Sequence, residues 1–280
     1  EGTDGLDDPM PVKPGQHYQM GGIEVNENGQ TCIDGLYAAG ECACVSMHGS
    51  NRLGGNALPE LLVFGSRAGQ HAAGGDLEES DIPTGPSAQS EDGEVDTPVE
   101  PGSVGDQSDP VVADGGAVAT PEELLEEAIR KERERVDTML DRDGVNHAEV
   151  REKVQKTMTE NVNVFREESN IKEALKVIRE AREQYQHVGV ADKSRTYNTD
   201  LIHTIETRNV IDNAEAIALG ALAREEFRGA HWRKEYQERR DDEWLKHTML
   251  SWNDGTPNLY YKPVILEGDE QTYEPKERSY

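Results

Sequence analysis

The sequence predicts an α/β segment followed by an α-helical bundle that carries a short β-hairpin and an extended tail. Three observations lead to this fold class. Residues 1–74 are rich in glycine and short apolar runs, residues 75–119 contain no lysine or arginine, and from Thr120 onward apolar residues recur at helical spacing. We therefore expect three regions, 1–74, 75–119 and 120–280.

The first region contains short segments suited to ligand binding. Gly35 to Glu41 is predicted to be a buried strand that ends on a glycine and then presents an acid, a position suited to holding a ribose or another polyol. The glycine-rich run Gly49 to Gly55 leads into a helix expected from Ala57 to about Ala73. Glycines let the backbone approach a ligand, and a helix start offers free N–H donors to an anion or to the electron-rich edge of a ring system.

Three side chains of this region are ambiguous by themselves. Arg52 has a planar fork that suits a carboxylate, which belongs either to a ligand or to a structural acid nearby. The roles of His17 and His48 are also undecided, since a lone histidine is more often a structural hydrogen-bonding group than a ligand contact.

The second region, residues 75–119, is strongly acidic. It holds 12 acidic residues among many Gly, Pro and Ser. Such a stretch cannot bury enough apolar surface to fix its backbone, so we predict a disordered linker, or an insertion that forms a long surface loop.

Four helices are predicted in the third region. The first begins at Thr120, an N-cap residue followed by proline and two acids, and the second near Asn146. The third begins with Asn170 as its cap, and the fourth extends from Asp200 to Glu226 and is rich in alanine. Short connections favour an antiparallel bundle. The residues expected to face its core are Leu125, Ile129, Val136 and Leu140, then Val150, Val154, Met158, Val162 and Phe165, then Leu175, Ile178 and Tyr185.

A hairpin is expected near the end of the chain. Two runs typical of strands, 248–252 and 259–261, flank a turn at residues 253–255 that contains Asp-Gly. The polar residues 274–280 are predicted to be an extended tail.

Composition excludes some functions and indicates an environment. The net charge is -27, which argues against nucleic-acid binding, and no apolar run reaches the length of a membrane helix. With only 11 lysines, the acidic surface is typical of proteins from a salt-rich cytoplasm, as in a halophilic archaeon. An acidic surface made for one partner is the alternative interpretation. The three cysteines, Cys32, Cys42 and Cys44, do not suggest a disulfide framework or a metal site, and we expect them to be small buried side chains.

Several motifs together resemble a known family. The segments 17–23 (HYQMGGI), 35–46 (GLYAAGECACVS) and 48–56 (HGSNRLGGN) are similar, in order and spacing, to the active-site segment of succinate dehydrogenase and fumarate reductase flavoproteins. The resemblance continues at 228–231 (RGAH), 244–248 and the final 278–280, and covers nearly the whole chain except 75–119. We expect the RGAH element to be mainly structural.

This resemblance implies the roles of particular residues. His17 and Arg52 would bind the substrate's carboxylates. Glu41 would contact FAD, as would the backbone of Ala57 and Leu58 at the start of the following helix. Ala57 replaces a serine that is usual in the family, so a contact through that hydroxyl is lost. Residues 1–74 would be the end of a Rossmann-like FAD-binding domain, and 120–280 the family's carboxy-terminal helical domain.

The resemblance also implies the reaction and its setting. Succinate would be oxidised to fumarate, or the reverse, by hydride transfer to FAD, with electrons passing to an iron–sulfur subunit held by membrane-anchor subunits. The flavoprotein would then be cytoplasmic, peripheral on the inner face of the membrane, with no direct insertion. No phosphate-binding glycine loop precedes these motifs, and the family's proton-transferring arginine belongs to an upstream segment. We therefore expect a truncated chain that is inactive alone, with no catalytic acid or base in it.

Two alternatives stay open. L-aspartate oxidase resembles the same span, although Gly54-Gly55 and the long ending through Tyr280 favour the succinate and fumarate branch. A non-catalytic acidic interaction domain built on the helices is the other, and it predicts no flavin contact.

Overall fold

The computed structural model describes residues 16–74, 120–253, 255–266 and 275. The predicted linker 75–119 and all but Pro275 of the predicted tail lie outside the described residues. The described residues form two compact units. One comprises 16–74, 162–170, 220–253, 255–266 and 275, and the other comprises 120–161 and 171–219.

The front of the first unit contains a small parallel pair of strands and one helix. Strand β1 (Ile23–Glu24) pairs in parallel with β2 (Ala43–Cys44), and helix α1 spans Ala57–Ala72. The predicted helix is therefore confirmed to within one residue at its end. The elements agree with an α/β segment, although each strand is only two residues long.

The buried strand predicted at residues 35–41 is wrong. These residues form a single isolated bridge, Gln30 to Tyr37, and Ala38 N donates to Gly29 O at 2.9 Å. Thr31 N also donates to Leu36 O at 3.1 Å, so the chain doubles back on itself. Because these backbone groups are satisfied locally, the segment does not extend into a sheet.

A glycine brings the segment around His17 against the next loop. Gly22 has φ +123°, and a Cβ there would overlap the carbonyl oxygen of Cys42. Ile23 N then donates to Cys42 O at 2.8 Å. Only glycine allows this close approach, which fixes residues 16–22 beside residues 40–44.

Four long helices follow: α2 (Pro121–Asp141), α3 (His147–Asn161), α4 (Glu168–Tyr185) and α5 (Thr199–Ala223). The start of α2 is as predicted. Thr120 accepts from Glu123 N, and the Glu123 side chain accepts from Thr120 N, so two free N–H groups at the helix start are satisfied.

Ion pairs within the second unit show the relative directions of its helices. Arg179 pairs with Glu215, and Arg182 with both Asp212 and Glu215, so later residues of α4 meet earlier residues of α5. Lys153 of α3 likewise pairs with Glu180 of α4. Helices α3 and α4, and α4 and α5, are therefore antiparallel, as predicted.

Three predicted helix boundaries are wrong. Helix α4 begins at Glu168, so Asn170 is inside it, because Glu168 N finds a distant acceptor, Glu235 Oε1, at 2.7 Å. Helix α3 was expected to continue to Phe165 but ends at Asn161, since the Arg166 Nε donates hydrogen bonds to the carbonyl oxygens of residues 162 and 163. Helix α5 ends at Ala223, before the buried Glu226.

The predicted core positions are confirmed only in part. Val150, Val154, Val162, Leu175, Ile178 and Tyr185 are buried, and so is Leu140. Leu125 and Ile129 are exposed instead. Phe165 is 72% exposed because it lies beyond the end of α3, where its ring meets that of Trp232 nearly at right angles.

The predicted hairpin is confirmed. After the short helix α6 (Asp241–Trp244), strand β3 (Lys246–Asn253) pairs antiparallel with β4 (Thr256–Pro263). Gly255 in the turn has φ +80°. The hairpin reaches the front segment twice: His247 Nε2 lies 3.0 Å from Ser46 Oγ, and Lys262 pairs with Glu24 at 2.6 Å.

The cysteines are not small core residues. Cys32 and Cys42 are exposed and Cys44 is half-buried. At Cys42 the backbone, rather than the side chain, forms the inward contact with residues 22 and 23. Among the described helices, none combines the length and apolar character that crossing a membrane requires.

Candidate functional site

Arg52 lies in the glycine-rich loop before α1. Its guanidinium carbon is 4.6 Å from the centre of the Tyr18 ring, and its Nη1 donates to Leu53 O at 3.0 Å. Its Nε is buried and has no hydrogen-bond partner among the residues that the structure describes. Across the described ranges, no acidic side chain forms an ion pair with Arg52. This arrangement does not support a structural acid as its partner, and it leaves the guanidinium available to a ligand carboxylate.

A buried acid hydrogen-bonds to the tyrosine that Arg52 contacts. Glu60, in the first turn of α1, is 2% exposed. Its Oε2 accepts a hydrogen bond from the Tyr18 hydroxyl at 2.6 Å and another from His48 Nε2 at 2.8 Å. The Tyr18 and His48 rings meet edge to face, with 5.4 Å between their centres.

The Tyr18 hydroxyl remains a donor at any ordinary pH. Burial, the hydrogen bond to Glu60 and the negative charges of Glu60 and Glu41 together raise the pKa of Tyr18 to about 12, against a smaller opposing effect of Arg52. The phenol therefore stays protonated and donates to Glu60.

The other predicted ligand residues surround this cluster. His17 is exposed and directly precedes Tyr18. Glu41 is also exposed, and its Oε1 accepts from Gln19 N at 3.0 Å, which ties the acid to the segment that carries His17. The structure thus brings the neighbourhoods of His17, Glu41 and Arg52 together through Tyr18 and Gln19.

Ala57 and Leu58 are the first two residues of α1. Leu58 is 70% exposed, and the N-cap residue Asn56 makes no side-chain hydrogen bond to the first turn. The start of this helix therefore faces outward without the usual side-chain cap, so its N–H donors can meet an external acceptor.

The RGAH element at 228–231 supports the same loop from the other side. Ala230 N donates to Ser50 O at 3.0 Å. Gly229 has φ +56°, and a Cβ there would lie 2.5 Å from Ser50 Oγ and 2.9 Å from Ser50 O. Ser50 is two residues before Arg52, so this contact restrains the backbone of the loop that carries the arginine.

A network of charges fixes that element. Glu226 is fully buried and pairs with Arg224 at 2.5 Å and Arg228 at 2.6 Å, and Arg228 also pairs with Asp241. Burial alone raises the pKa of Glu226, but hydrogen bonds from Arg228, the Arg240 backbone and Arg224 outweigh it and hold this pKa below its ordinary value. Glu226 is therefore ionised, and its role is to anchor the chain around Gly229.

His231 is neutral and structural in this setting. Its Nδ1 lies 3.2 Å from Arg166 Nη1, which can only donate, so the proton is on Nε2, 3.0 Å from Arg224 O. Burial and the surrounding arginines lower the pKa of His231 to about 4, against a smaller effect of the Arg224 carbonyl. The contacts of residues 228–231 agree with the mainly structural role that we expected.

Sequence reasoning missed Tyr18 and Glu60. Glu60 is the lone acid in the otherwise apolar first half of α1, and this pattern could have indicated a buried polar contact. Acids are also common in first helix turns, however, because they interact favourably with the helix dipole. Nothing local indicates that Tyr18, 42 residues earlier, reaches it.

Comparisons with known proteins agree with the motifs. A family model described as the fumarate reductase flavoprotein C-terminus matches residues 151–280, and one described as an FAD binding domain matches residues 2–58. The fumarate reductase flavoprotein subunit of Haemophilus influenzae is 36% identical over 268 residues, which are 95% of this chain and 38% of that protein. The succinate dehydrogenase flavoprotein subunit of Rickettsia conorii is 35% identical over 277 residues, 95% of this chain and 40% of that protein.

A solved structure of the E. coli quinol fumarate reductase has the same fold, with a TM-score of 0.76 and 31% identity over 99% of this chain and 40% of that one. The chain thus spans about two fifths of the length of these relatives. Two family models, one for each end of the chain, and relatives that match nearly all of it lead to one conclusion: the chain belongs to the succinate dehydrogenase and fumarate reductase flavoprotein family and carries part of its FAD-binding domain.

Proposed function

We propose that the whole protein interconverts succinate and fumarate as the FAD-dependent flavoprotein subunit of a succinate dehydrogenase, and that this chain supplies one wall of the dicarboxylate site. The observation that carries the proposal is Arg52, a half-buried arginine without an acidic partner among the described residues, in the loop between residues 35–46 and α1.

Arg52 and His17 would each hold one carboxylate of the substrate. The guanidinium has five N–H donors, of which the structure commits one to Leu53 O, so a bidentate pair of donors is available for a carboxylate. Holding both carboxylates aligns the two central carbons of the substrate, and this orientation is the contribution of these residues to the rate. Oxidation removes a hydride from one of those carbons and a proton from the other.

The residues present fit FAD. Glu41 keeps an exposed carboxylate next to the segment of His17, which suits a sugar hydroxyl, and α1 starts without a side-chain cap at Ala57 and Leu58. Bound FAD would accept the hydride. The loss of a serine hydroxyl at Ala57 leaves the backbone N–H as the donor at that position.

Electrons would leave through an iron–sulfur subunit toward membrane-anchor subunits, with the flavoprotein peripheral on the inner face of the membrane. Support comes from the family itself and from a relative described as a quinol-fumarate reductase with menaquinol molecules, 32% identical over 95% of this chain.

The test uses the full-length protein with its flavin. Replacing Arg52 by Ala removes the fork and the charge, and Arg52→Lys keeps only the charge. Loss of a charged hydrogen-bonded pair costs about 2–5 kcal/mol, so kcat/KM for succinate should fall by roughly 30-fold or more in Arg52→Ala and substantially in Arg52→Lys. Succinate, fumarate and aspartate are compared as substrates, because preferred turnover of aspartate would assign the protein to the aspartate oxidase branch.

Arg133→Ala, at an exposed position of α2, is the matched control and should keep the kinetics of the natural protein. Unchanged succinate kinetics in Arg52→Ala, or absence of flavin from the purified protein, would refute the proposal.

A further inference from the structure

We infer that Glu60 is a positioning residue of the dicarboxylate site: its buried carboxylate fixes Tyr18 and His48, and the Tyr18 ring in turn holds the guanidinium of Arg52. The inference rests on the proposed function, since it explains how the carboxylate-binding arginine is aimed.

Fold stability alone does not explain an acid at this position. Glu60 is almost fully buried, the residues beside it in the helix are apolar, and among the described residues its ion-pair contact is with the imidazole of His48. Across the described part of the chain, no lysine or arginine pairs with it. Burying a carboxylate is costly, and an apolar side chain would fill such a place at least as well. The presence of an acid here is therefore explained by its hydrogen bonds to Tyr18 and His48.

Glu60 holds two rings with one oxygen. The Tyr18 hydroxyl and His48 Nε2 both donate to Oε2, at 2.6 and 2.8 Å, and the rings lie nearly perpendicular at 86°. A ring anchored at its hydroxyl and packed against a second ring has a fixed face. Hydrogen bonds to an ionised acceptor are shorter and about twice as strong as those to a neutral one, which makes the charge of Glu60 part of the anchor.

The guanidinium of Arg52 packs against the face of the Tyr18 ring. The guanidinium carbon is 4.6 Å from the ring centre, a cation–π contact that orients the fork while leaving its edge free. The buried acid thus acts on the site through Tyr18 and Arg52.

The experiment measures dicarboxylate binding separately from turnover in the full-length flavin-loaded protein. Glu60→Gln keeps the size and an oxygen acceptor but loses the charge, and Glu60→Asp keeps the charge. The dissociation constant of malonate, a dicarboxylate that is not oxidised, is followed through the flavin absorbance, together with KM and kcat for succinate and the flavin content. Glu160→Gln, at an exposed end of α3, is the matched control.

We expect Glu60→Gln to weaken malonate binding and raise KM by roughly tenfold, with kcat changed by less than about threefold and full flavin content. Glu60→Asp should recover part of the affinity. In an Arg52→Ala background, Glu60→Gln should add less than about a twofold effect, because it acts through Arg52. A merely structural role would instead lower flavin content and stability, and would leave the malonate affinity of the loaded fraction unchanged.

Natural malonate affinity in Glu60→Gln, or effects of Glu60→Gln and Arg52→Ala that multiply, would overturn the inference. If Glu60→Gln does not fold, Tyr18→Phe decides, since it keeps the acid and breaks the link: an unchanged malonate affinity there overturns the inference, and a weakened one supports it. When Arg52→Ala weakens binding and the Glu60 and Tyr18 variants do not, only this inference fails. When Arg52→Ala itself binds malonate normally, the proposed function fails as well.

Discussion

Replacing Gly229 by Ala should disturb the substrate site from a distance. The φ of +56° costs an L-residue about 1–2 kcal/mol, and the new Cβ would lie 2.9 Å from the carbonyl oxygen and 3.0 Å from the carbonyl carbon of Ser50. These are backbone atoms, so the overlap adds about 1–3 kcal/mol. The sum, about 2–5 kcal/mol, falls on the loop that carries Arg52 two residues further on.

The matched control is Gly255→Ala. Gly255 also has a positive φ, +80°, but a Cβ there meets no described residue within 4 Å, so the backbone strain is the cost that we expect. In the full-length protein we expect Gly229→Ala to lower the thermal unfolding midpoint more than Gly255→Ala does. It should also raise KM for succinate, while Gly255→Ala leaves KM unchanged. Equal midpoints for the two variants, or an unchanged KM in Gly229→Ala, would refute the reasoning.

Two further predictions concern stability. His231 has a pKa of about 4 in the folded chain, below its ordinary value near 6.5. The unfolded chain therefore binds the extra proton between these values, and the folded state loses up to about 3 kcal/mol as pH falls from about 6.5 toward 4. His231→Gln should make the unfolding midpoint less sensitive between pH ~7.5 and ~5, and an identical pH dependence would contradict this assignment. Thr120→Ala removes one half of the capping box with Glu123 and should destabilise α2 by about 1 kcal/mol, measured as increased amide hydrogen exchange in its first turn relative to its last; unchanged exchange would show that the cap contributes nothing.

Local signals predicted two features well, and in both of them the interacting partners are close in sequence. Thr120 caps α2 with Glu123 three residues on, and the turn through Gly255 joins two strands in continuous register. Where the deciding partner is remote, the prediction was wrong. Helix α4 begins at Glu168 because Glu235 accepts its N–H, and no pattern near Asn170 contains that information.

The same distinction holds in the candidate site. Motif resemblance named His17, Glu41 and Arg52, and their roles remain predictions. The acid that we infer to position Arg52 was not predicted, because Glu60 resembles an ordinary acidic residue of a first helix turn. Its partner Tyr18 lies 42 residues earlier in the sequence, beyond the reach of a local pattern.

The unit that holds the site is closed by residues from both ends of the chain, and this has a consequence for the order of its assembly. Glu24 pairs with Lys262, Ser46 meets His247, and Ser50 accepts from Ala230. A ribosome adding about 5–20 residues per second needs roughly 10–50 seconds to travel from residue 24 to residue 262. During that interval the glycine-rich loop has been synthesised but the segments around Ala230, His247 and Lys262 have not. The second unit, whose helices contact near neighbours in sequence, completes its own set of partners first, so the site is among the last parts of the chain to form during synthesis.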